Sequence, residues 1–273
     1  MKPRPMKPAL LLPAAVLAFW SVLALTANWL PLSPDRIRLE QILAPPSAHA
    51  WLGFDDLGRN ILDRLVVGMR TSLLVAALVV PVSTAAGVLF GMSAAWQGGA
   101  WDRVSLGVMD VFLAFPGLLL AIALAGLLGP GIDNVVFALV VVGWVGYARL
   151  ARAQTLSVLQ REHIAAARLL GTSPPMILLR HVLPLIAAPI IVEATLGVAG
   201  VIVGEASLSF LGLGVQPPAA SLGAMIRDGT AYMLVAPHTV IAPGVALLTV
   251  VLSVNMLGEA LRRRLDVQAR GER

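Results

Sequence analysis

The sequence predicts an all-α fold, a polytopic membrane helix bundle of about six transmembrane helices. Three observations carry that expectation. Of 273 residues, 58% are hydrophobic and only 13% charged, against about 25% charged in an average soluble chain. Mean hydropathy is +0.85. The charge is also unevenly spread: residues 71–101, 182–192 and 238–258 contain no Asp, Glu, Lys or Arg. A disordered chain is excluded and a water-soluble enzyme disfavoured. A span needs about 20 apolar residues, so six leave room for loops but for no large soluble domain.

The first span is expected at Ala9–Leu30, behind Lys2, Arg4 and Lys7. A basic start and an apolar run also describe a signal peptide, but this run exceeds the usual 7–15-residue signal core, which favours an uncleaved anchor. Pro31–Arg70 is polar and reads as an extramembrane loop with a short helix near Asn60–Met69. The second span is Thr71–Trp96, closed by a turn at Gln97–Ala100. The third is Ser105–Leu128, with a break at Phe115-Pro116-Gly117. Gly129-Pro130-Gly131 turns the chain into the fourth span, Asn134–Leu150. Arg149–Arg180 is a polar loop with five arginines. The fifth span is Leu183–Gly204. Glu205–Pro237 forms a second loop with an amphipathic stretch at Ser221–Leu234. The sixth span is Val240–Leu261, followed by Arg262-Arg263-Arg264. Residues 1–70 thus form an anchor helix and loop, and residues 71–273 the transmembrane domain.

The net charge of +5 and pI near 10.6 would suggest nucleic acid in a soluble protein. Here they follow topology, because loops on the cytoplasmic side collect Lys and Arg. With six spans, basic residues divide 14 to 6 between the faces. The richer face holds both termini and Arg149–Arg180, which places these in the cytoplasm and leaves no reason to expect a nucleic-acid partner.

Few residues offer chemistry. The chain has no cysteine, which excludes disulfides and Cys-ligated metals. None of His49, His163, His181 and His238 has metal-ligand spacing to another ligand. The only lysines are Lys2 and Lys7, so the chain cannot supply the lysine of a phosphate-binding loop. Any ATP and Mg²⁺ are therefore expected on partner subunits, with no cofactor on this chain. Gly212-Leu-Gly214 is too short for a dinucleotide fingerprint and suits a turn or a close backbone approach. Asp110, Glu193 and Glu205 lie in or near spans. Glu193 is the deepest, and burial or an interhelical hydrogen bond is expected for it ahead of an ion-coupling role.

Arg149–Arg180 is the informative segment. Glu162–Leu170, with Ala165-Ala166-Ala167 at its centre, favours helix. Gly171 suits the helix C-terminus, and Thr172-Ser173-Pro174 suits the start of a second helix. Small alanines allow a partner surface to come close, and the arginines can grip acidic or carbonyl groups on it. An amphipathic helix lying on anionic lipid is the plainer alternative.

On these residues the chain resembles a known family. Ala166-Ala167-x-x-x-Gly171 with Arg180-His181-Val182-Leu183-Pro184 resembles the "EAA" loop of ABC importer permeases. Trp51–Asn60 (WLGFDDLGRN) resembles the "LGTDxxGRD" segment of the dipeptide/oligopeptide/nickel subfamily. Glu205–Pro218 and Asn255–Arg262 are similar to its second, C-type, permease. Ala165 stands where the pattern is acidic, His181 where it is hydrophobic, and Phe54 where it has Thr. The resemblance implies a type I importer permease fold in a bacterial inner membrane. It implies pairing with a homologous second permease, two ATPase subunits below and a periplasmic substrate-binding protein above. It also implies coupling to the ATPase through Glu162, Ala165, Ala166, Ala167, Arg168, Gly171, Arg180, His181, Leu183 and Pro184. Asp55, Asp56, Gly58, Arg59, Glu205, Gly212, Gly214 and Pro217 would meet the binding protein or line an outer gate. Implied cargo is a di- or oligopeptide, with glutathione or a nickel chelate as alternatives. An ion-coupled secondary carrier would call for inverted repeats and midplane charges, and an intramembrane enzyme for a catalytic set within the spans; neither is recognisable.

Overall fold

The computed structural model describes residues 10–271, with side chains to Leu265. Lys2, Arg4, Lys7, Arg270 and Arg273 lie outside the described side chains. Among the described residues ten α-helices follow one another: α1 Leu11–Thr26, α2 Ile61–Gln97, α3 Gly99–Leu113, α4 Gly117–Leu128, α5 Ile132–Leu159, α6 Glu162–Leu169, α7 Pro174–Ile177, α8 Leu183–Phe210, α9 Leu222–Thr230 and α10 His238–Gly271. A π-helical turn at Leu178–Val182 joins α7 to α8.

Among the described residues four segments are long and apolar enough to cross a membrane: α2, α5, Pro174–Phe210 and His238–Leu265. The third expected span is a broken one. Pro116 interrupts it, and α3 and α4 bend by 82°. The described part of the first span, α1, has 16 residues, or about 24 Å of helix, and stops at Thr26 rather than Leu30.

Other expected boundaries move as well, among them the end of the fifth span, which runs to Phe210 rather than Gly204 and so takes Glu205 into α8. The short helix near Asn60–Met69 and the second span are one 37-residue helix, so the division at residue 70 falls inside α2. The helix starts at Asn60, whose Oδ1 accepts from the Leu62 and Asp63 amides, satisfying donors that a bare first turn leaves open. The fourth span likewise runs to Leu159, not Leu150, so Arg149 and Arg152 are helical. Arg152 grips Asp102 at the start of α3 with two 2.6 Å bonds, and Arg149 pairs with Asp110 at 2.7 Å. Carboxylates on the neighbouring helix carry the arginines into the span, which a linear scan for charge cannot foresee.

α2 and α5 form the tightest crossing. A Cβ on Gly87 would meet the Trp144 carbonyl, and one on Gly91 the Ala148 carbonyl. Gly87 and Gly91 are four apart, and small residues at that spacing let helix backbones approach within a bilayer. One buried core joins Ile61, Leu65 and Met69 of α2 to Ile202 of α8, Leu222 of α9 and Val250 of α10. A second, at the far end of α2, joins Val88 and Met92 to Ile164, Ile177, Val182 and Ile186. α2 is about 55 Å long, so these cores lie at opposite ends of the bundle. Many large apolar side chains along the spans face outward, including Leu74, Leu89, Phe137 and Leu248, as expected where lipid or a partner helix replaces water.

Candidate functional site

The segment expected to couple is a small unit at the second of those ends. α6 stops where the sequence said it would. Gly171 takes φ +75°, and the Thr172 amide donates to the Ala167 carbonyl while the Gly171 amide donates to that of Arg168. This closes the helix in the left-handed conformation glycine adopts without strain. Ser173 then precedes α7, with Pro174 at its first turn. The unit is fixed from inside, because Ile164, Ala167 and Ile177 are buried with Val182 and Ile186.

That packing divides the expected coupling residues. Ala165 and Ala166 are exposed, as are Glu162, Arg180 and Pro184, whereas Leu183 and His181 are half-buried. Ala167 faces inward, 6% exposed, so it serves the unit's own packing and not a partner. Arg168 is engaged too: its guanidinium lies 4.6 Å from the centroid of the Trp96 ring, near the end of α2, a cation–π arrangement. With Arg149 and Arg152 in α5, only Arg161 and Arg180 of the five arginines remain exposed and outside these pairings. The His163 and His181 rings approach to 6.4 Å. The sequence reading also missed Leu169 and Leu170, which are 89% and 85% exposed. With Ala165 and Ala166 four residues earlier they form one apolar face. The signal was present, as two leucines directly before a helix-ending glycine.

At the opposite end the two expected loop segments come together. Asp55 accepts from the Leu57 and Arg59 amides at 3.0 and 2.9 Å and from Arg59 Nε at 2.7 Å. Arg64 Nε lies 3.5 Å from the same carboxylate. Arg59 and Arg64 are 7% and 3% exposed, and a charge that far from water requires such pairing. Gly58 holds φ +69°, and a Cβ there would strike the Arg38 carbonyl. Asp56 is held above the usual carboxylate range, first by burial and then by the Asp55 charge, with Arg59 opposing. Arg64 Nη1 also donates to the Pro218 carbonyl at 3.3 Å, beside Pro217. His238 Nε2 lies 3.3 Å from the carbonyl of Phe54, whose ring is buried with the Arg38 guanidinium 5.7 Å from its centroid. Asp55, Asp56, Arg59, Arg64 and Asp228 line one small cleft of about 20 Å³, too tight for a peptide.

Glu205, Gly212 and Gly214 turn inward. Glu205 is fully buried and accepts from Ser72 Oγ of α2 at 2.6 Å and Ser209 Oγ at 2.7 Å. It ties α2 to α8 and presents nothing to a docking protein. Gly212 ends α8 at φ +85°, and a Cβ on Gly214 would occupy the place of the Ser209 hydroxyl. The turn and the close approach expected of this pair are both present.

A larger space lies between α2, α4, α5 and α8. It measures about 300 Å³ and is lined by Ser83, Tyr147 and Glu193 among glycines and aliphatic side chains. Burial or an interhelical hydrogen bond was expected for Glu193, but among the described residues it is exposed and belongs to none of the ion pairs or side-chain hydrogen bonds. Its carboxylate lines the space between the helices.

Comparison with known proteins agrees with this architecture. Residues 87–267 match the family of binding-protein-dependent transport system inner membrane components. The chain is 41% identical over 252 residues to the glutathione transport system permease protein GsiD of Escherichia coli O1:K1 / APEC, covering 92% of this chain and 83% of that protein. It is 40% identical over the same length to GsiD of Shigella boydii serotype 4 (strain Sb227). A chain of the MetNI methionine ABC transporter, solved in inward facing conformations, superposes with a TM-score of 0.58 at 18% identity, covering 75% of this chain and 97% of that one. That likeness speaks for the fold alone. On family match, identity and fold together, the chain belongs to the binding-protein-dependent transport system inner membrane components and is a permease subunit of an ABC importer, of the peptide/nickel subfamily.

Proposed function

We propose that this permease translocates short peptides, glutathione among them, as one of two homologous permeases in an ATP-driven importer. Cargo arrives from a periplasmic binding protein, and two ATPase subunits carry ATP and Mg²⁺. Both termini and α6 lie on the cytoplasmic side, and the Asp55–Arg64 loop and α9 on the periplasmic side. The observation that carries the substrate class is the 41% identity over 92% of the chain to a permease named for glutathione, a γ-linked tripeptide. The absence of any lysine beyond Lys7 supports placing ATP on another chain. The basic residues flanking the spans support the orientation.

α6 acts as the lever. Its outer face of Ala165, Ala166, Leu169 and Leu170 sits against an ATPase subunit. Closure of the ATPase pair on ATP moves the α6–α7 unit, and its buried core passes that movement to α2 and α8. Such a switch requires each ligand to bind the two states with different free energy. The test is reconstitution of the full complex in vesicles. ATP- and binding-protein-dependent uptake of a dipeptide or glutathione supports the reading. Uptake driven by an ion gradient without the ATPase overturns it.

A further inference from the structure

We propose that the 300 Å³ space between α2, α4, α5 and α8 is a cargo subsite, in which Glu193 receives the free α-ammonium group of a short peptide. The proposal rests on the peptide reading above. The space reaches the lower end of the range for small-ligand pockets, about 300–1,000 Å³.

Its glycines divide into two kinds. Gly143 and Gly197 are excluded from carrying side chains by their neighbours: a Cβ on Gly143 would lie 3.1 Å from Ser83 Oγ, and one on Gly197 would collide with the Tyr147 hydroxyl. Gly146 and Gly200 have no such reason, because a Cβ on either would meet nothing within 4 Å. A helical glycine costs about 1 kcal/mol relative to alanine. Two of them facing empty space, one on α5 and one on α8, keep backbone bare for something that is not part of this chain.

The polar groups say what that something is. Ser83 is 1% exposed, lines the space, and its hydroxyl has no hydrogen-bond partner among the described residues; a buried polar group left unpaired calls for a ligand or solvent atom. The Tyr147 hydroxyl rests on Gly197, one turn along α8 from Glu193. Glu193 lies about 15 Å along α8 from Leu183, and among the described residues it is the only Asp, Glu, Lys or Arg lining the space. An exposed carboxylate at that depth does not face lipid, where charge is costly, but a water-filled or partner-lined path. One carboxylate, which only accepts, and two hydroxyls, which can accept, suit a ligand group rich in donors. An ammonium carries three donors and no acceptor. The α-ammonium is common to linear peptides and glutathione, so the subsite fits both and does not select side chains. A single charge contact also suits transport, where binding must be strong enough to admit cargo and weak enough to release it.

The test uses the complete complex in vesicles, with dialanine and glutathione as cargo and the variants E193Q and E193D. Uptake per ATP hydrolysed should fall about tenfold in E193Q for both cargoes, the value of one charged hydrogen bond, and E193D should recover much of it. Wild-type-like uptake by E193Q overturns the subsite. Equal loss in E193D and E193Q, or loss of complex assembly, also overturns it, because either marks a structural role. If the wild-type complex takes up neither cargo, the peptide reading falls first and the subsite with it.

Discussion

The guanidinium of Arg168 lies 4.6 Å from the centroid of the Trp96 ring, joining α6 to the last turn of α2. The contact is direct and, under the proposed coupling, lies on the path by which movement of α6 reaches α2. Cation–π contacts are worth about 0.5–2 kcal/mol, enough to bias a two-state lever without being required for folding. Trp96→Leu and Arg168→Gln are each expected to leave insertion and complex assembly intact while lowering uptake per ATP hydrolysed several-fold. The double variant should be no worse than either single one. Additive losses would show that the two residues act separately.

Burial separates two neighbouring alanines. Ala166 faces out and Ala167 faces into the core of the α6–α7 unit. Ala167→Leu should overpack that core, a change that costs about 1–3 kcal/mol, and lower the melting temperature of the isolated chain in detergent. Ala166→Leu should leave that temperature unchanged and weaken recovery of the ATPase subunits with the permease. The reverse pattern would mean that the outward face of α6 has been misassigned.

Asp55 and Asp56 are adjacent but are expected to respond oppositely. Asp55 is shared by Arg59 and Arg64, and removing one partner from a buried pair costs about 3 kcal/mol or more. Asp55→Asn should therefore destabilise strongly. Asp56 binds its proton more tightly in the folded chain than in the unfolded one. Its contribution to stability is complete below the unfolded value, about pH 4, and is lost as pH rises through the folded value. Asp56→Asn should flatten that part of the profile and match or exceed wild-type stability at neutral pH. Melting curves from pH 4 to pH 7 check both expectations.

Much of this fold was legible because hydrophobic runs, Pro and Gly carry local information. The break at Pro116, the turns at Gly98–Gly99 and Gly129–Gly131, and the caps at Gly171 and Gly212 all sit where the sequence put them. What sequence did not show depends on partners distant along the chain. Arg149 and Arg152 read as loop residues because Asp110 and Asp102 lie 39 and 50 positions away. Glu205 read as a candidate for the outer gate because Ser72, 133 positions away, is what accommodates it. Phe54, a departure from the family pattern, is accounted for by the ring's burial beside Arg38. In the segment expected to couple the pattern located the helix, but only packing could say which alanine faces outward.

The central claim is that ATPase subunits engage the outer face of α6. The chain has no cysteine, so Ala166→Cys introduces a single reactive site, and the complex can be probed with a short bifunctional thiol–amine crosslinker in native membranes. The account predicts a crosslink from position 166 to an ATPase subunit whose yield changes when ATP is added. A crosslink confined to lipid or to the binding protein, with the ATPase present and the complex intact, would contradict it.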